Sequence, residues 1–265
     1  MDQKQEMAIS KMRELVETQG IPTQKCVDHT FLRFLKAKSM NPEKAAKMYV
    51  EWKKWREDFV PLGSIPESEI ADALGDNKIY LQGLTKIGQQ PFLVAKANRH
   101  STSASKDPLQ FKKFIVYLFD KAIARPNRIN LPHLVSVFSS FKDGKQTGNE
   151  KIISAVDLKS IPYKSIDARA FTISFQLLKA YFPGRLGKMY MLNAPGFFVS
   201  FWKMFSIFLD KDIQENIIFV SNEKEKESFV KEIGEEILPE EYGGRSKLIA
   251  IQDVTTHSSI NNPLS

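Results

Sequence analysis

The chain has 265 residues, 42% hydrophobic and 26% charged, which is enough for one large or two small domains with a real core. Its single cysteine, Cys26, excludes an internal disulfide and cysteine-pair metal sites and fits a reducing compartment. The net charge of +7 fits nucleic acid, an anionic membrane or an acidic partner, and equally a plain lysine-rich solvated surface.

The opening "MDQKQEMAISKMREL" lacks the apolar core and cleavage site of a signal peptide, and the closing "NNPLS" has no lipidation box. Ala8, Met12, Leu15 and Val16 recur at helical spacing. A second helix is expected over 28–38, capped by Asp28. A third starts at Asn41 and Pro42, a cap followed by a helix-opening proline, with Ala45, Met48, Tyr49, Trp52 and Phe59 in one stripe. Pro61, Gly63 and Pro66 break this pattern, and a short helix follows near 67–74. The division expected is a helical unit over 1–66, a second domain over 67–246 and a C-terminal tail over 247–265, disordered at its end.

From residue 78 the period changes. Strands are expected at 78–84 and 91–97, joined by the turn "TKIGQQ", then a helix over 107–124. Within 126–149, "HLVSVFSSF" reads as a strand or a helix end and "KDGKQTGN" as a loop. Strands at 151–158, 188–194 and 216–222 then alternate with helices at 165–182 and 223–237, the last capped by Asn222. Such alternation predicts an α/β fold, a helical unit followed by a mostly parallel sheet with crossover helices.

Between Pro195 and Asp210 lie fourteen residues with one charge, Lys203, five phenylalanines and Trp202. A spanning helix needs about 20 apolar residues. This segment is either a buried core helix or one that meets something apolar other than a spanned bilayer.

No catalytic constellation is visible. The four histidines, His29, His100, His133 and His257, have no metal-ligand spacing, and Asp120, Asp143, Asp157 and Asp167 show no pairing. "GRLGK" (184–188) lacks the spacing and the hydroxyl residue of a phosphate loop and precedes a strand rather than a helix. No enzyme activity, metal or cofactor is expected. Nothing interleaves aromatics with lysines as a nucleic-acid surface requires.

Four motifs in order carry a resemblance: "FLRFLKAKSMNPEKAAKMYVEWKKWRED", "AVDLKS", "YFPGRLGKMYMLNAPGFFVSFWKMFSIFLD" and "LPEEYGG". Over roughly 28–246 they resemble the CRAL-TRIO lipid-binding family, the family of the yeast phosphatidylinositol-transfer protein, in texture nearest its single-domain plant members. The resemblance implies a sheet floor, an apolar pocket above it, one bound lipid-like molecule and a mobile gate helix at 196–209. Gate residues are then Phe198, Phe201, Trp202, Phe205 and Phe208. Pocket residues on the strands are Ile152, Ser154, Val156, Met189, Met191 and Ile218. Phosphatidylinositol-binding members have a Glu where this chain has Gly184 and a Lys where it has Asn216, so the inositol-phosphate pair is missing. Phosphatidylcholine-binding members have Ser and Thr where this chain has Ile152 and Ser154. The pattern implies a non-enzymatic, monomeric, cytoplasmic protein that carries or presents a phospholipid or other hydrophobic ligand between membranes. Arg33, Lys36, Lys38, Lys44 and Lys47 would touch anionic headgroups peripherally. The alternative is a lipid-sensing scaffold that acts through a protein partner.

Overall fold

The computed structural model describes residues 1–100, 107–124 and 151–254. The segment expected as strand or helix end and loop within 126–149 lies outside them.

Three helices open the chain: α1 (Gln3–Glu17), α2 (Asp28–Ala37) and α3 (Pro42–Phe59). Asn41 caps α3 by accepting the Lys44 N–H at 2.8 Å, with Pro42 in the first turn, as its sequence dictates. The expected Asp28 cap on α2 is corrected. Val27 precedes the helix without a side-chain bond, and the Asp28 carboxylate pairs instead with Arg13 at 2.8 Å. Met12, Val16, Phe31, Phe34, Leu35 and Tyr49 form a separate core for these helices. The expected α3 stripe divides. Trp52 stays in that core, whereas Phe59 packs with Trp55 on the next one, where Trp55 stacks on Tyr181 with ring centres 3.8 Å apart. The 18 residues of α3 extend about 27 Å, so its two ends reach different cores.

After the short α4 (Ala71–Gly75), five strands form one sheet in chain order: β1 (Ile79–Leu84), β2 (Pro91–Lys96), β3 (Ile152–Asp157), β4 (Leu186–Leu192) and β5 (Ile217–Val220). The first pair is antiparallel and the other three pairs are parallel. Thr85 and Gln90 close the β1–β2 loop through a 2.8 Å main-chain bond. Parallel neighbours demand crossovers. Helices α5 (Pro108–Ile123), α6 (Ala168–Tyr181) and α7 (Gly196–Ser206), with the short α8 (Lys211–Glu215), pack on one face. Helix α9 (Glu223–Ile233) covers the other. A capping box between Asn222 and Glu225 starts α9, and Gly234 at φ +89° stops it, so Ile237 is buried beyond the helix end rather than within it.

The ladder registers assign the faces. Leu81, Leu93, Ser154, Met189 and Ile217 lie in one row across the sheet, and Ala95, Val156, Met191 and Phe219 in the next, under α5, α6 and α7. Tyr80, Val94, Ala155, Tyr190 and Ile218 point the opposite way, toward α9. The first residues after 246 are packed on the sheet. Leu81 donates to the Ile249 carbonyl at 3.0 Å, and Ile251 and Val254 are buried.

Candidate functional site

Helix α7 lies over the inner rows of the sheet. Phe198 is fully enclosed, its ring 6.5 Å from Phe219 and 6.1 Å from Phe171. Trp202 sits 6.2 Å from Phe175 and 6.4 Å from Phe219. Phe201 and Phe205 stack at 5.6 Å, and Phe171 of α6 reaches both. These ring distances lie in the range of favourable offset and edge contacts. The helix is therefore wedged between α6 and β5 by aromatic rings. Its end is different: Met204, Ile207 and Phe208 are 64%, 71% and 78% exposed. The helix itself stops at Ser206, and a turn carries Phe208 outward, away from the face that Phe198 and Trp202 share.

On the sheet face that α5, α6 and α7 share, the two rows carry one polar side chain, Ser154. Its Oγ is enclosed and has no hydrogen-bond partner among the described residues. An enclosed hydroxyl without a partner is costly, roughly 1–3 kcal/mol. Ile152, Val156, Met189 and Met191 join Ser154 on this face, as expected. Ile218 is a correction. Every β5 residue is apolar, so the strand offers no alternation to set its phase. Pairing of Met189 with Ile217 fixes it, and Ile217 and Phe219 face inward.

Asp157, at the end of β3, is 6% exposed and receives three donors. Asn193 Nδ2 donates at 2.8 Å, the Lys159 N–H at 3.0 Å and the Tyr242 hydroxyl at 2.9 Å. Burial, then the Asp157 carboxylate, pushes the Tyr242 phenol well above its ordinary range, which keeps it a donor. His100 and Asp167 also meet, at 3.3 Å, a pairing across 67 positions that sequence spacing does not reveal. Asp167 serves there as the α6 cap, accepting from the Ala170 N–H. No metal-binding cluster is present among the described residues, and no described helix is long and apolar enough to cross a membrane. A groove of about 830 Å³ lies on the α9 side, between that helix and the hairpin loop. Lys86, Glu227, Lys231 and Glu235 line it with balanced charge, away from α7.

Residues 74–244 match the CRAL/TRIO domain. The chain belongs to the CRAL/TRIO family. It is 28% identical over 258 residues to the SEC14 cytosolic factor of Kluyveromyces lactis, covering 94% of this chain and 80% of that protein. It is 24% identical over 222 residues to the phosphatidylinositol/phosphatidylcholine transfer protein SFH13 of Arabidopsis thaliana, covering 79% of this chain and 33% of that one. The crystal structure of Sfh5 shares the fold at a TM-score of 0.59 and 14% identity, over 97% of this chain and 92% of that chain.

In this CRAL/TRIO chain the two departing positions have other work. Gly184 adopts φ +67°, and a Cβ there would lie 2.9 Å from Arg33 Cγ. Arg33, expected among the membrane-facing cations, is half-buried. Its stem covers Gly184, and its guanidinium lies 5.5 Å from the Phe34 ring centre. Asn216 ends α8, donating to the Asp212 carbonyl at 2.8 Å while its own carbonyl accepts from Met189. Lys36, Lys44 and Lys47 are exposed and Lys38 is half-buried. The aromatic partners Phe171, Phe175 and Phe219 were not among the predicted site residues. The i, i+4 spacing of Phe171 and Phe175 is their one sequence signal.

Proposed function

We propose that this protein binds one hydrophobic, lipid-like molecule between the inner rows of the sheet and helix α7, and carries or presents it between membranes without chemistry. The observation that carries this reading is the Ser154 hydroxyl, without a hydrogen-bond partner among the described residues, set in the apolar sheet face that α5, α6 and α7 share. A pocket that is mostly apolar with a few placed polar groups is what a lipid requires. The relatives named as transfer proteins support the same reading. Helix α7 is the gate, and its exposed Met204, Ile207 and Phe208 meet the bilayer first, helped by exposed lysines such as Lys36, Lys44 and Lys47. The protein works as a monomer in the cytoplasm and attaches to membranes peripherally. Its functional division is a helical unit over 1–66 and a lipid-binding domain over 67–246.

Native mass spectrometry of the purified protein, with titration of fluorescent lipids of several classes, tests this. A mass increment of one lipid per chain is expected. Failure to bind any lipid class overturns the proposal. Phosphatidylinositol transfer is expected to be weak. An acid at Gly184 would need a left-handed backbone and the space Arg33 occupies, and Asn216 supplies no cation. Robust phosphatidylinositol exchange between vesicles would refute that specificity argument alone.

A further inference from the structure

We propose that the Asp157 carboxylate is the fixed pivot of helix α7, holding the Asn193 turn so that the helix opens from its Asp210 end with Phe208 leading. The inference rests on the gate reading of α7 and adds to it a direction of motion and a positioning residue.

The two ends of α7 are held unequally. At the entering end the chain leaves β4 through Asn193, whose φ of +53° is left-handed and suits asparagine. The Asn193 side chain reaches to the end of the neighbouring strand, to Asp157, which is buried and already bound by the Lys159 N–H and Tyr242. A buried carboxylate with three donors is a strong, short-range tie. The Leu158 N–H to Leu192 carbonyl bond at 2.9 Å joins the same two strand ends just before the turn. Pro195 then fixes the backbone at φ −70°, and Phe198 is enclosed one turn into the helix. At the leaving end the ties are the Gln214 Nε2 bond to the Leu209 carbonyl at 2.8 Å and the Lys179–Asp210 pair at 2.8 Å, with side chains 65% and 53% exposed. Exposed pairs of this kind hold weakly. Ile207 and Phe208 beside it have almost no cover. The hydrogen bond from Tyr242 also makes the pivot sensitive to the C-terminal segment, since Tyr242 follows Pro239 and precedes the Gly243–Gly244 turn.

Hydrogen–deuterium exchange of the full chain tests the direction without requiring any lipid. In the wild type, amides at 206–209 should exchange faster than those at 199–202. Asn193→Gly keeps the left-handed backbone but removes the donor to Asp157. It should speed exchange at 199–202 by about tenfold, with the melting temperature little changed. Asn193→Asp is the sharper control. It fits the same backbone but presents an acceptor to Asp157, and should loosen the helix at least as much as glycine does. Lys179→Ala should change exchange at 199–202 by less than about twofold. Release of a bound fluorescent lipid should accelerate in step in both Asn193 variants. The pivot is overturned if 199–202 exchange as fast as 206–209 in the wild type. It is equally overturned if Asn193→Asp leaves exchange at 199–202 unchanged. Loss of lipid binding with these exchange patterns intact would count against the lipid proposal and not against the pivot.

Discussion

Phe198 and Phe208 are the same residue type ten positions apart, in and just beyond one helix, and their substitutions by alanine should have opposite signatures. Phe198 is fully enclosed, so Phe198→Ala removes its whole buried side chain and leaves a cavity, costing about 3–5 kcal/mol of folding stability. Phe208 is 78% exposed, so its truncation should cost less than about 0.5 kcal/mol. On a membrane the order reverses. A phenylalanine side chain offers roughly 150–250 Å². Burying even half of the exposed part of Phe208 in the acyl boundary is worth about 2 kcal/mol at 25 cal/mol per Å², a factor of about thirty in partitioning. The assays are thermal unfolding for stability and sedimentation with phosphatidylserine-containing vesicles for binding. Phe208→Ala should sediment at least tenfold less at equal vesicle concentration and unfold as the wild type does. Equal vesicle binding by the wild type and Phe208→Ala would refute the reasoning, as would a melting temperature lowered as far as that of Phe198→Ala.

Four further outcomes are expected. Ser154→Ala removes an enclosed hydroxyl without a partner, so the unloaded protein should be as stable or up to about 1 kcal/mol more stable in urea, while lipid affinity falls if the cargo uses that hydroxyl. Gly244→Ala places a Cβ 1.9 Å from the Leu238 carbonyl oxygen, so it should lower the denaturant midpoint sharply or prevent soluble expression. Arg56 donates to both Asp120 oxygens, at 3.0 and 2.8 Å, and Arg56→Ala should cost about 3 kcal/mol at neutral pH by stripping that buried carboxylate of both bonds, with Arg185 as its remaining cationic neighbour. Burial holds the Asp120 carboxyl above its ordinary range, so its charged form opposes folding, and the Arg56→Ala deficit should shrink as pH falls through that raised value; chemical denaturation between pH 4 and 8 measures it.

Much of the architecture is written in local patterns. The Asn41–Pro42 start, the Asn222 capping box and the apolar runs of the strands act through neighbouring residues, so a linear reading finds them. Helix α7 is legible for the same reason, its aromatic density being a property of fourteen consecutive residues. The phase of β5 is not legible, because four apolar residues in a row carry no alternation and only pairing to Met189 selects Ile217 and Phe219. Arg33 shows a related limit. A basic residue on an amphipathic helix reads as surface until the turn at Gly184 is laid against it. Asp157 gathers donors from positions up to 85 residues away, and such convergence has no sequence period. The sequence by itself determined the elements, their order and the greasy helix, since those follow from contacts between near neighbours. Tertiary structure decided which end of that helix is held, which side chains share its face and where a lone hydroxyl lies, since those depend on how distant strands register.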